Sequence, residues 1–225
     1  MSIIYKSWFE VVGRIPEFSE ADIRDLPMMF WADKEYFLER GGKVARAFYE
    51  AMPEEFRSQK LNYVARREWL EQGWYPNVPH YHIDGLQPIT EGVVDYRKRH
   101  DIEIVICSVG DISLTKFLVG DVELPEVGPE EKTFDRWTDE ISRQLAEGRI
   151  KEVQIEPFTL VKFGYGSLHR CTAAKKTGLR YFMHAASNTQ AVPLNLEDFQ
   201  VQLQLIPRHR CKHSWPEDVQ IPRRA

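Results

Sequence analysis

Residues 102–119 read IEIVICSV, then Gly110-Asp111, then ISLTKFLV. Two runs rich in β-branched and aromatic residues on either side of a two-residue Gly-Asp connection carry the pattern of antiparallel strands. The spacing predicts a β-hairpin turning at Gly110-Asp111.

Further short extended runs, separated by Gly, Pro and Asp, lie on both sides of this segment. They are Leu61 to Arg66, Pro79 to Asp84, Lys151 to Glu156, Phe158 to Phe163, Leu179 to Ala186 and Phe199 to Ile206. The last alternates cleanly, with Val201, Leu203 and Leu205 opposite Gln202 and Gln204, as a half-buried strand does. About eight antiparallel strands fit a small barrel or jelly roll. Helical signals flank them. Ser19 can cap SEADIRDL, residues 33 to 52 place Phe37, Leu38, Val44, Ala45, Phe48, Tyr49 and Met52 on one stripe, and Phe134, Trp137, Ile141 and Leu145 recur at helical spacing. The expected fold is therefore mainly β with flanking helices (α+β). Residues 1–225 form one domain: N-terminal helical decoration over 1–60, a β core with one inserted helix over 61–206, and a tail over 207–225.

Composition bounds the function. The chain has 225 residues, 43% hydrophobic and 28% charged, enough to build a core without disulfides or a structural metal. Three scattered cysteines, Cys107, Cys171 and Cys211, offer neither a disulfide framework nor a paired-cysteine zinc site, and fit a reducing cytoplasm. No run of about 18 apolar residues is present, and Lys6, Glu10 and Arg14 interrupt the opening segment, so neither a membrane span nor an export signal is expected. A net charge of -4 weighs against nucleic acid as a partner without forbidding a local basic groove. Arg97-Lys98-Arg99-His100 reads as a solvated loop, and the tail from Pro207 holds five Lys or Arg against two acids.

The chemistry lies in Trp74-Tyr75-Pro76-Asn77-Val78-Pro79-His80-Tyr81-His82-Ile83-Asp84-Gly85. On an extended segment His80, His82 and Asp84 share a face. An imidazole and a carboxylate two residues apart can grip one side of a metal ion and leave the other side open, two-thirds of the facial arrangement that suits non-haem Fe(II). The glycines of Phe163-Gly164-Tyr165-Gly166-Ser167-Leu168-His169 allow a sharp turn that delivers His169. Arg180, inside an apolar strand, needs an anion, either a ligand carboxylate or a protein acid such as Glu156.

His82, Asp84, His169 and Arg180 together resemble the motif of the Fe(II)/2-oxoglutarate-dependent dioxygenases. The resemblance covers mainly residues 74 to 186 and implies a double-stranded β-helix (jelly-roll) core. It further implies that His82, Asp84 and His169 hold Fe(II) and that Arg180 pairs with the far carboxylate of 2-oxoglutarate. O2 and a small-molecule or amino-acid-like substrate complete the reaction, with hydroxylation the default outcome and succinate and CO2 released. No catalytic residue beyond the metal centre is implied. Tyr75, Asn77 and His80 are substrate-pocket candidates. Two departures stand out. The second Arg of the nucleic-acid-repair members is replaced by Ala186, and Phe182 stands where a hydroxyl often assists the cofactor, leaving Tyr75, Tyr81 or Thr115 as alternatives. Competing readings are a cupin-like metalloenzyme using His80, His82 and His169, a dioxygenase acting on a nucleobase, and a non-catalytic β-barrel binding protein. Oligomeric state is not legible in these residues.

Overall fold

The two halves of residues 102–119 part company in the structure, a computed structural model that describes residues 1–77, 79–84, 88–90, 93–94, 101–126, 133–188 and 192–197. In chain order the elements are β1 (Ser2–Ser7), β2 (Glu10–Arg14), α1 (Glu20–Ile23), β3 (Met29–Ala32), α2 (Lys34–Arg40), α3 (Gly42–Ala51), α4 (Glu54–Arg57) and β4 (Leu61–Leu70). There follow β5 (Pro88–Thr90), β6 (Val93–Val94), β7 (Glu103–Val109), β8 (Thr115–Pro125), α5 (Thr133–Ala146), β9 (Lys151–Gln154), β10 (Thr159–Gly164), β11 (His169–Cys171), β12 (Gly178–Ser187) and β13 (Leu196–Glu197).

The expected hairpin does not form. β7 pairs with β10 on one edge and β12 on the other, whereas β8 pairs with β1, β9 and β11. With both edges of β7 taken, its backbone has no hydrogen-bonding groups left for β8. Residues 110–114 instead carry the chain from one sheet to the other. Gly110, at φ 88°, makes the turn, and Ile112 and Leu114 are buried on the way. The near-continuous apolar character of 102–109 is that of a central strand covered on both faces.

The main sheet runs β13-β3-β4-β12-β7-β10-β2 and the second contains β1, β8, β9 and β11, all pairings antiparallel. The two sheets face one another as a double-stranded β-helix of jelly-roll type. Alternation along the strands sorts the core into layers. Val105, Cys107, Tyr181, Met183 and Ala185 pack against Phe37, Val44 and Phe48 of α2 and α3. Ile104, Ile106, Val161, Phe163 and Ala186 meet Phe117 between the sheets. Leu118, Val122 and Leu124 pack against Trp137 and Ile141 of α5 on the outer side.

The N-terminal sixty residues are not purely helical decoration. β1 joins one sheet, while β2 and β3 join the other. The burial of β1 alternates weakly, because Ile4 lies on its exposed face, and this hides it from a periodicity reading. The stripe over 33–52 resolves into two helices, broken where Gly42 takes φ 54°. Ser19 stands at the N-cap of α1 as expected, and with Asp22 it forms a capping box there. Lys151, Thr159 and Gly178 begin strands close to the expected runs. The expected strand Phe199 to Ile206, the 97–100 run and the basic tail lie outside the described residues. Among the described residues, no helix is long and apolar enough to cross a membrane.

Candidate metal centre

Pro79 to Asp84 is not a regular strand. One residue of it, His82, makes a β-bridge to His169 at the start of β11. His82 N–H donates to the His169 carbonyl at 3.0 Å and His169 N–H to the His82 carbonyl at 3.1 Å. This reciprocal pair fixes the two residues directly opposite one another with their side chains on one face. Asp84, two residues on, returns to that face.

The result is a compact donor set. Ligand atoms of His82, Asp84 and His169 all lie within 4.8 Å of one another. Asp84 Oδ2 is 3.3 Å from His169 Nε2, Asp84 Oδ1 is 3.8 Å from His82 Nε2, and the imidazole centroids are 4.5 Å apart. Each imidazole is oriented from behind. His82 Nδ1 lies 3.1 Å from the His80 carbonyl and His169 Nδ1 lies 3.2 Å from the Ser167 carbonyl. A carbonyl can only accept, so Nδ1 is protonated in both rings and Nε2 is the atom aimed at the site, a free lone pair on His82 and, on His169, a nitrogen whose proton is shared with Asp84 until a metal displaces it. Phe117 and Phe163 flank His169 at 5.3 and 4.9 Å between centroids and lock its plane.

Electrostatics separates the two rings. Burial, reinforced by the charge of His169, pushes His82 down to about 4. Burial also opposes the charged form of His169, but Asp84 overrides it through charge and hydrogen bond, so its pKa is raised. Burial disfavours the Asp84 carboxylate, yet the charge of His169 and its hydrogen bond hold it well below the usual carboxylate range. Two nitrogens and one carboxylate oxygen on a single face suit a divalent ion with open positions opposite.

The donors open into a cavity of about 200 Å³ whose lining includes Val64, Arg66, Asn77, Thr115, Arg180 and His184. Arg180 is 4% exposed and does meet a protein acid, but it is Glu68 rather than Glu156: Nη1 lies 2.7 Å from Glu68 Oε2, while Nε donates to the Ser113 carbonyl at 3.2 Å. Of the three pocket candidates, only Asn77 lines the cavity. Tyr75 is buried with Cys171 and Ala173, and the His80 ring turns away to Thr138 of α5, with Nδ1 at 3.2 Å from its hydroxyl. The bend at Pro79-His80 breaks the period of two, so the His80/His82/His169 triad of the cupin-like reading is not assembled. Of the three hydroxyls, Thr115 reaches the cavity, whereas Tyr81 packs on the far side of the second sheet with Leu118 and Trp137.

The sequence reading passed over Arg66, Glu68 and His184. Alternation along β4 and β12 places Arg66 and Glu68, and Phe182 and His184, on the same face as Arg180. His184 is drawn below its ordinary value by burial and senses the charges of Asp84 and His169. Stepping by two from Arg180 finds it.

No protein-family model matches the chain, and no curated protein does. Among solved structures, HygX from Streptomyces hygroscopicus with iron bound aligns at 11% identity over 84% of this chain and 85% of its own, with a TM-score of 0.39. An N-substituted L-amino acid dioxygenase from Burkholderia ambifaria AMMD aligns at 16% over 69% of this chain and 66% of its own, with a TM-score of 0.34. RmlC from Streptococcus suis, in complex with dTDP-D-xylose, aligns at 13% over 72% of this chain but only 56% of its own, with a TM-score of 0.30. At these identities and TM-scores none of the three shows a family or an activity for this chain.

Proposed function

We propose that the chain is an Fe(II)- and 2-oxoglutarate-dependent oxygenase acting on a small molecule. The observation that carries this reading is the presence, in one cavity, of an N,N,O donor set within 4.8 Å and a buried arginine, Arg180. His82, Asp84 and His169 fit a divalent iron, because their three donor atoms occupy one side and leave the other free for exchangeable ligands. Arg180 fits the distal carboxylate of 2-oxoglutarate, since a guanidinium offers a fork of donors that matches a carboxylate. When bound, iron and 2-oxoglutarate would supply O2-driven oxidation, with succinate and CO2 as products.

The protein's own residues orient and enclose. The Ser167 and His80 carbonyls hold the imidazole tautomers. Val64, Ile106 and Phe182 line the cavity with apolar surface, which excludes water and strengthens electrostatic contacts inside. Thr115 offers a hydroxyl to an acid bound there. Anaerobic addition of Fe(II) and 2-oxoglutarate should give a visible charge-transfer band, with succinate formed slowly in air. A band of normal intensity in His169→Ala would remove His169 from the ligand set, and its absence from the unmodified protein would remove the reading.

A further inference from the structure

Glu68 is a fully buried carboxylate shared by two guanidinia. Arg66 Nη2 lies 2.6 Å from its Oε1 and Arg180 Nη1 lies 2.7 Å from its Oε2. Three charges leave one net positive charge in a wall where the Arg180 side chain is 5% exposed and that of Arg66 is 21% exposed. An unbalanced buried cation is costly unless an anion joins it.

Neither fork is used up by Glu68. Among the described residues, Arg66 donates a hydrogen bond only from Nη2, to the Pro76 carbonyl; its contact with Glu68 Oε1 is an ion pair, and Arg66 Nε and Glu68 Oε1 are both buried without a hydrogen-bond partner. The hydrogen bonds of Arg180 run from Nε to Ser113 and from Nη1 to Glu68. Both residues line the cavity that holds the donor set. Glu68 stands directly opposite Arg180 in the β4–β12 register, and Arg66 stands opposite Phe182, over whose ring the Arg180 guanidinium lies at 4.6 Å. Two guanidinia that already converge on the oxygens of one carboxylate are spaced to converge on another.

We propose that Arg66 and Arg180 form a two-armed clamp for the distal carboxylate of a 2-oxo diacid bound at His82, Asp84 and His169, with Glu68 as the positioning residue that holds both arms. The inference rests on the 2-oxoglutarate reading and adds to it the second arm and its holder. Arg66 is the more exposed arm. Through Pro76 it also tethers the loop that carries His82 and Asp84.

The test uses the intact protein loaded anaerobically with Fe(II), with affinity read from the charge-transfer band. 2-Oxoglutarate is compared with 2-oxopentanoate, which has the same chelating head and chain length but ends in a methyl group. The unmodified protein should prefer the diacid by about tenfold or more, the scale of a charge-assisted pair. Arg66→Gln should erase most of that preference by weakening the diacid alone, and Arg66→Lys should restore part of it by returning the charge without the fork. Equal weakening of both acids in Arg66→Gln, or no change in either, would overturn the clamp. A thermal melt without ligand separates misfolding from lost recognition, and if Arg66→Gln melts early, Arg66→Lys alone must narrow the preference for the clamp to stand. A failure of the underlying reading looks different: the unmodified protein would show no preference for the diacid, and the clamp would fall with it.

Discussion

Asp84 decides where the proton sits in the metal-free site. It raises His169, while burial and the charge of His169 push His82 down to about 4. Near pH 6 the triad therefore carries one proton, on His169 and paired with Asp84, and His82 is neutral. Metal binding must expel that proton, because only the free Nε2 can coordinate. The sign follows directly. His169 is protonated below its raised pKa, so acid competes with the metal and affinity falls as pH falls. Between about pH 5 and 6.5 the dissociation constant for Mn(II) should rise about tenfold for each pH unit of acidification, a slope of one proton. Calorimetry in buffers of different ionisation enthalpy counts the protons, and a slope of two would mean that both imidazoles titrate. At this scale the sequence was informative because the ligands' spacing is local: His82 and Asp84 are two residues apart and His169 follows a glycine-bracketed turn. Glu68, the partner of Arg180, was not legible, since strand register alone brings residues 68 and 180 together.

The element that presents His169 is held from the far end of the chain. Ser7, at the end of β1, donates from Oγ to the Leu118 carbonyl at 2.6 Å and accepts from Leu168 N–H at 2.9 Å, while Ser167 Oγ donates to the Trp8 carbonyl at 2.7 Å. Ser7 is 2% exposed, so water cannot replace it. Ser7→Ala leaves a buried N–H and a buried carbonyl short of a partner, and should cost about 1–3 kcal/mol in urea unfolding. Metal affinity should weaken as well, because Leu168 is the residue before His169; an unchanged unfolding midpoint would show that the serine is dispensable. No sequence pattern announces this clamp, since a serine after a short alternating run looks like any strand end. The failure of the hairpin at Gly110-Asp111 has the same origin. A two-residue connection fixes how far the chain turns only if the strand before it has a free edge, and both edges of β7 are claimed by β10 and β12, whose residues lie some fifty to eighty positions later. Periodicity reads which face of a strand is buried; it does not read which strand lies beside it.

Across the whole molecule, the two sheets are joined at the chain's beginning as well as at residues 110–114. β1 adds to β8 in one sheet, and three residues later β2 adds to β10 in the other, so residues 1–14 staple the faces between which Phe117, Phe163 and Ile106 pack. Gly13 lies where β2 passes the end of α3, so close that a Cβ would overlap the Ala51 carbonyl, which ties the helical layer to the same segment. A decorative N-terminus could be cut away and leave a folded core. An integral one cannot. Removing residues 1–14 uncovers the edges of β8 and β10, strips Tyr5 from the cluster that holds Val122 and Leu124, and deletes the Ser7 contacts behind His169. Exposed strand edges with apolar faces favour association over folding. The 15–225 fragment should therefore lose the cooperative thermal transition in circular dichroism and partition to the insoluble fraction, whereas the full chain melts as one unit. A fragment that stays soluble, melts cooperatively and still binds Mn(II) would return residues 1–14 to the status of decoration and place the stability of the metal centre wholly within residues 15–225.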